Sequence, residues 1–122
     1  MDLAKIWNSL NMCMIYFFAG ADFSAETEIL NHVTGWDITP RELGKIGERI
    51  TCMQHLFNIK MGLVPEVENV LPERMTVAHE GGGAAGMVPD WKGILKEFWK
   101  EKGWDDRGYP TEEKMIELGL SE

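Results

Sequence analysis

Cys13 is the residue whose type and setting most directly suggest chemistry, because a cysteine thiolate can bind metal ions or act as a nucleophile. It lies in the segment WNSLNMCMI, between two methionines and downstream of Asn8 and Asn11. The chain has one other cysteine, Cys52, far along the sequence and not in a C-x-x-C pair. This pattern predicts neither a disulfide framework nor a self-contained zinc site, although it leaves a single disulfide open. Since free cysteine is among the most buried residue types, spacing alone favours a packed Cys13.

The three histidines do not have the spacing of a metal site. His32, His55 and His79 fall in three different predicted elements. His55 lies three residues after Cys52 on one predicted helix, but two side chains are too few to form a metal site. A structural role is therefore favoured for all three.

Pairs of carboxylates can carry acid–base catalysis, but here they lie in predicted loops or in the first turns of predicted helices. Negative charge at those places is expected, because it caps helices and complements the helix dipole. We therefore assign no catalytic residue to the chain. The pairs are Glu66/Glu68, Asp105/Asp106 and Glu112/Glu113.

The segment GGGAAG places Gly81, Gly83 and Gly86 at the spacing of a dinucleotide-binding fingerprint. That fingerprint functions only between a strand and a helix, where the helix N-terminus faces a pyrophosphate. Here Met87, Val88 and Pro89 follow, and no βαβ pattern surrounds the glycines. The segment is therefore interpreted as a flexible loop.

Size and composition are those of a single soluble domain covering residues 1–122, with 44% hydrophobic and 26% charged residues. The net charge of −8 argues against non-specific nucleic-acid binding and against docking on an anionic membrane. The N-terminal residues do not have the pattern of a signal peptide, and no apolar segment is long enough to span a bilayer. We expect a cytoplasmic, reducing environment.

The hydrophobic pattern predicts an all-α fold, an irregular bundle of about five helices with a long loop at 63–90. No strand is convincing, and only the stretch from Met75 to His79 could be extended. In the first helix a break near residue 11 is plausible, because Asn8 and Asn11 are poor helix formers. The helices are expected over 2–19, 25–33, 40–60, 91–102 and 112–118.

Local signals define the helix ends. Ser24, Thr39, Asp90 and Thr111 are predicted N-caps, and Thr39 with Pro40 and Glu42 forms a capping box. Glycines are predicted to end the helices. Two apolar stripes are predicted to face the core: Leu43/Ile46/Ile50/Met53/Phe57 on the helix at 40–60, and Trp91/Ile94/Leu95/Phe98/Trp99 on the helix at 91–102. Cys52 is expected to pack beside the stripe on the helix at 40–60.

Longer segments resemble a known family. The stretches TGWDIT, KIGERI, LFN, LPERM and GWDDRGYPTEEKMIELGL occur in this order in the C-terminal region of the tungsten-containing aldehyde ferredoxin oxidoreductase family. The resemblance covers nearly the whole chain. It implies an enzyme that oxidises aldehydes to carboxylic acids, with electrons passing from a tungsten (or molybdenum) bis-pterin through a [4Fe–4S] cluster to ferredoxin.

The same family carries an Asp-x-x-Gly-Leu-Cys motif near the start of this region. Here Asn8 stands for the aspartate, Asn11 for the glycine and Met12 for the leucine, whereas Cys13 keeps the cysteine. The resemblance implies that Cys13 is a metal ligand of the cluster and that Asn8 and Met12 contact the pterin. With this resemblance, the role of a cluster ligand is preferred for Cys13 over that of a buried packing residue.

One cysteine cannot hold a [4Fe–4S] cluster, so the isolated chain is expected to be catalytically inactive and to carry no cofactor. The chain is expected to be a fragment of a longer enzyme or a short product that needs a partner. The expected partners are the upstream cofactor-binding domains, ferredoxin indirectly, and a second copy of the chain through exposed apolar surface that includes Ile15, Phe17 and Phe18.

A stand-alone, non-enzymatic helical interaction module is the alternative hypothesis. In this case the chain would be a degenerate relative whose motif has changed at Asn8 and Asn11. The sequence leaves the substrate, the choice between tungsten and molybdenum, and the oligomeric state open.

Overall fold

The computed structural model describes residues 2–13, 15, 20 and 23–121. Among these residues it contains six α-helices and one 3₁₀ turn, Glu73–Met75, and its only bridges are the isolated pairs His79/Ala85 and Trp104/Pro110. The predicted all-α class is confirmed. The helices are α1 Asp2–Ser9, α2 Phe23–Thr34, α3 Pro40–Lys60, α4 Pro65–Glu68, α5 Trp91–Glu101 and α6 Glu112–Leu118.

Two compact units can be distinguished. The first comprises the residues up to His55 together with Leu118–Leu120, and the second comprises Leu56–Glu117. The expectation of one domain over residues 1–122 stays a prediction. No helix in the described ranges is long and apolar enough to cross a membrane.

The first helix ends where the asparagines predicted a break. Asn11 is left-handed, with φ of +55°, and it is the one described residue other than glycine with positive φ. The Asn11 and Met12 amides donate to the carbonyls of Asn8 and Trp7, at 3.3 and 2.8 Å. This pair of bonds is a Schellman motif, which satisfies the last carbonyls of the helix. Except for Ile15, the predicted continuation over 14–19 lies outside the described residues.

The α2 helix begins two residues earlier than predicted. It starts at Phe23, so Ser24 lies inside the helix and its prediction as the N-cap is wrong. The end is confirmed, because Gly35 has φ of +74° and its amide donates to the carbonyl of Asn31.

The α3 capping box is confirmed. The Glu42 amide donates to Oγ1 of Thr39 at 3.2 Å, and the Thr39 amide donates to Oε2 of Glu42 at 2.7 Å. The Thr39 backbone and side-chain hydrogen bonds hold the pKa of Glu42 below its usual range. Thr39 therefore caps α3 as the sequence predicts.

The predicted stripe on α3 is only half right. Leu43 is buried, but Met53 and Phe57 are 52% and 62% exposed. The buried positions of α3 are instead Leu43, Gly47, Thr51 and Cys52. Packing of Cys52 is confirmed. The buried face of α3 is rotated relative to the predicted apolar stripe. The reason is that α1 packs against α3 at Gly47, a residue that has no apolar side chain and so does not contribute to the hydrophobic pattern.

The long connection at 63–90 is mostly irregular, but it is more structured than predicted. It contains α4 and the 3₁₀ turn, whereas Met75–His79 forms no strand. The glycine segment forms a turn in which the Gly86 amide donates to the His79 carbonyl at 2.9 Å. Since α5 begins only at Trp91, the glycines do not lead directly into a helix.

The α5 helix starts and stops as predicted, to within one residue. The Gly93 amide donates to Oδ1 of Asp90 at 3.1 Å, and Gly103 closes a Schellman motif with φ of +67°. Trp99 is buried, but Ile94 is 63% exposed, so the predicted core stripe is wrong at that position.

The segment between α5 and α6 is a tight turn. Oδ1 of Asp105 accepts from the amides of Arg107 and Tyr109, at 2.9 and 2.8 Å. Gly108, with φ of +85°, lies against the Trp99 indole and Pro65. Thr111 then caps α6 by accepting from the Lys114 amide, which confirms that prediction.

Candidate functional site

The Schellman turn at the end of α1 presents the residues that the motif singles out. Cys13 is a free, exposed thiol two residues beyond the left-handed Asn11. The side chain of Asn8 is exposed and that of Met12 is half-buried. These residues therefore lie together in one short, hydrogen-bonded turn, with the thiol accessible.

Trp7 links this turn to α2. Its side chain is buried, and its Nε1 donates a 2.6 Å hydrogen bond to Oε1 of Glu26. Glu26 is only 2% exposed, which is unusual for a glutamate. Its second oxygen, Oε2, has no hydrogen-bond partner among the described residues. Nothing in the spacing of the sequence indicates this pair, although a buried indole N–H usually needs an acceptor.

Ile6 holds α1 against α3. A Cβ built on Gly47 would lie 2.7 Å from Cγ1 of Ile6 and 2.7 Å from the Asp2 carbonyl oxygen. Only glycine allows this approach of the two helices. The helix that carries the turn is therefore held by neighbouring residues, Ile6 against α3 and Trp7 against α2.

Within the described part of the chain, no group of three or more histidine, cysteine, aspartate or glutamate side chains that could hold a metal ion is found. His32 lies 3.8 Å from Glu28 on the surface of α2. Cys52 is buried.

The donor set at the turn fits one corner of an iron–sulfur cluster. Cys13 is accessible and is not tied up in a disulfide, so its thiolate is free to bind iron. A four-cysteine cluster would need ligands beyond those of this sequence, which has only two cysteines, Cys13 and the buried Cys52.

Comparison with known proteins identifies the family. The model of the aldehyde ferredoxin oxidoreductase family, domains 2 and 3, matches residues 1–120. The chain belongs to the aldehyde ferredoxin oxidoreductase family. The resemblance inferred from the motifs is confirmed, and the chain corresponds to a C-terminal part of such an enzyme.

Several proteins similar to this chain are named as oxidoreductases. The chain is 38% identical over 123 residues to the tungsten-containing aldehyde ferredoxin oxidoreductase of Pyrococcus horikoshii, covering 99% of this chain and 20% of that protein. It is 37% identical to the protein of the same name from Pyrococcus abyssi, with the same coverage. A more distant relative is the aliphatic sulfonate oxidoreductase, WOR-like subunit, of Pyrococcus furiosus, at 31% identity over 87% of this chain and 18% of that protein. The chain thus spans about a fifth of the length of these relatives.

Proposed function

We propose that this chain is the C-terminal helical part of a tungsten-pterin aldehyde:ferredoxin oxidoreductase, in which Cys13 is one ligand of a [4Fe–4S] cluster. Such an enzyme converts an aldehyde and water to a carboxylic acid, two protons and two electrons, and the electrons leave through the cluster to ferredoxin. When bound, the tungsten-pterin group would supply the oxidation of the substrate, and the cluster would supply the electron relay. The observation that carries the proposal is the accessible Cys13 thiol on an ordered turn in a chain of this family.

Cys13 has the chemistry that this role needs. Thiolates are the usual ligands of iron–sulfur clusters, and a ligand must lie at the surface that meets the cofactor-binding domains. The Schellman bonds fix the backbone of the residue before Cys13, because the Met12 amide donates to the Trp7 carbonyl. The thiol is thereby presented from a defined backbone position.

Asn8 and Met12 are proposed to contact the pterin. The exposed amide of Asn8 can accept a hydrogen bond from a pterin amino group, although a neutral acceptor binds more weakly than a carboxylate. Met12 would supply apolar contact from its half-buried position. The chain alone is proposed to be catalytically inactive.

The rest of the same enzyme is the proposed partner. Ile15, Phe57 and Met61 are 70%, 62% and 71% exposed, and large apolar side chains at such exposure favour burial against another surface. In isolation the same side chains would favour a homodimer. Cys13 and Cys52 form no disulfide, which is in keeping with a reducing, cytoplasmic setting.

Co-expression tests this proposal. The chain and the missing part of the enzyme are produced together, and the visible absorbance of the cluster and the bound iron are measured. Cys13→Ser should lose the intact cluster, whereas Cys52→Ala, which removes a buried thiol on α3, should keep it. Unchanged cluster content in the Cys13→Ser protein would overturn the ligand assignment.

A non-enzymatic interaction module remains the second candidate, favoured by the asparagines at positions 8 and 11 where the family motif has aspartate and glycine. The gene neighbourhood distinguishes the two. A reading frame for the cofactor-binding domain directly upstream, in frame or adjacent, supports the enzyme, and its absence supports the module.

A further inference from the structure

Glu26 is a buried acid that the proposed function has not yet used. A carboxylate is costly to remove from water unless it is hydrogen-bonded. Because Glu26 is only 2% exposed, it needs a hydrogen-bond donor inside the protein. The indole of Trp7 donates a 2.6 Å hydrogen bond to Oε1 of Glu26, and this bond offsets part of that cost. Glu26 therefore fixes the position of the Trp7 ring.

Trp7 is also the residue on which the turn at the end of α1 closes. Its carbonyl accepts the 2.8 Å bond from the Met12 amide, and Met12 directly precedes Cys13. The side chain of Trp7 is thus held by α2, while its backbone holds the turn. A change in the orientation of the indole would therefore affect the Trp7 backbone, and through its bond to the Met12 amide it would affect the turn that carries the Cys13 thiol.

The α1 helix contacts α3 and α2 in different ways. The packing of Ile6 into the space at Gly47 brings α1 close to α3. The hydrogen bond from Trp7 to Glu26 is made on α2, and because a hydrogen bond is directional it restrains the orientation of the indole.

We propose that Glu26 is a positioning residue for the cluster ligand Cys13, acting through the indole and the carbonyl of Trp7. The inference rests on the proposed function, because it takes Cys13 to be a ligand. With the Trp7–Glu26 bond in place, the thiolate is held at one orientation when the cluster is bound. Without it, the turn samples other orientations, and the bond from Cys13 to iron becomes labile.

The test uses the full-length enzyme and separates positioning from stability. Trp7→Phe removes the indole donor from the buried Glu26 carboxyl group, and Glu26→Leu removes this acceptor from the indole, so both are expected to destabilise the protein as well. The double variant Trp7→Phe/Glu26→Leu replaces both partners with apolar groups, which removes that penalty. Glu26→Gln keeps an oxygen for the indole N–H. Glu28→Leu, which removes an exposed carboxylate from the same helix, is the matched control.

The readouts are the electron paramagnetic resonance spectrum of the reduced cluster, its midpoint potential and the rate of iron release to a chelator. Both single variants and the double variant should release iron up to about tenfold faster, the ratio expected for the loss of one hydrogen bond. Their spectra and potentials should shift as well. Glu26→Gln should restore wild-type behaviour in large part, and Glu28→Leu should match the wild type.

A double variant that melts like the wild type and also keeps its spectrum and iron release would overturn the positioning role. Cys13→Ser, measured in parallel, separates this failure from failure of the proposed function. If Cys13→Ser leaves the cluster unchanged, the ligand assignment itself is wrong. If Cys13→Ser loses the cluster while the Trp7 and Glu26 variants do not differ from wild type, only the positioning inference fails.

Discussion

The indole Nε1 of Trp7 donates a 2.6 Å hydrogen bond to Oε1 of Glu26, which lies 19 residues further along the chain and on a different helix. Both side chains are buried. Because Oε2 of Glu26 has no hydrogen-bond partner among the described residues, the indole is the donor on which the buried carboxylate depends. The pair joins α1 to α2 beside the turn that carries Cys13.

Removal of one member of this pair should destabilise the fold more than removal of both. Trp7→Phe and Glu26→Leu are each expected to lower the free energy of unfolding by about 2 kcal/mol, since each removes one partner of a buried hydrogen bond and leaves the other. The double variant should lose clearly less than the sum of the two. Urea unfolding of the wild type, the two single variants and the double variant measures the coupling free energy between Trp7 and Glu26. Additive losses would show that the hydrogen bond contributes nothing.

Asn11 is expected to be a position where glycine stabilises the protein. Its φ of +55° is left-handed, a conformation that glycine adopts without strain. Asn11→Gly should therefore raise the free energy of unfolding by roughly 0.5 kcal/mol, and Asn11→Ala should lower it by about 1 kcal/mol. Thermal unfolding of both variants tests this order. A stabilising alanine would contradict the left-handed turn.

Gly47 and Gly44 form a matched pair on α3. A methyl group at Gly47 would meet the Asp2 carbonyl oxygen and Ile6 at 2.7 Å, whereas a methyl group at Gly44 would meet nothing within 4 Å. Gly47→Ala is therefore expected to destabilise the protein by about 1–3 kcal/mol through overpacking. Gly44→Ala should stabilise it by up to about 1 kcal/mol, because alanine is the better helix former. Equal effects in chemical denaturation would argue against the close approach of α1.

Alanine substitutions at Gly108 and Gly119 distinguish the cost of backbone strain from the cost of overpacking. Both have positive φ, of +85° and +67°, but only at Gly108 would a methyl group meet other atoms, at 2.7 Å from the Trp99 ring. Gly119→Ala is expected to cost about 1 kcal/mol for the left-handed backbone alone. Gly108→Ala should cost at least about 1 kcal/mol more, because the indole must move. Comparison of the two melting temperatures tests the turn geometry.

The capping box on α3 should make stability depend on pH. The pKa of Glu42 is lowered in the folded chain, mainly by the hydrogen bond from the Thr39 backbone amide and next by that from the Thr39 hydroxyl. A carboxyl whose folded pKa is depressed stabilises the fold above its unfolded pKa, and this stabilisation is lost as pH falls through the folded pKa. Wild type and Glu42→Gln should therefore differ most near neutral pH and converge in acid.

A titration followed by NMR checks the same contact directly. Glu42 should titrate at lower pH than a glutamate in a short peptide, and Thr39→Ala should move its pKa part of the way back. The return is only partial because the backbone amide of residue 39 remains as a donor. A Glu42 pKa that Thr39→Ala does not change would exclude the hydroxyl as a cause.

Much of the fold could be predicted because helix ends are encoded by neighbouring residues. The Thr39–Glu42 box, the Asp90 cap and the glycine at position 103 act over three or four positions, and the structure confirms all three. The left-handed turn at Asn11 is equally local. The Cys13 motif could be recognised for the same reason, since its residues are adjacent in the sequence.

The sequence by itself determined the helical class, most helix ends and the family, because these depend on short-range hydrogen bonding and on ordered motifs. Only the tertiary structure decided which face of each helix is buried and what holds the Cys13 turn. Gly47 and Glu26 lie at the contacts of α1, yet neither is apolar enough to predict burial. Their burial depends on what packs against them: glycine allows α1 to approach α3, and the Trp7 indole supplies the donor that the carboxylate needs in place of water.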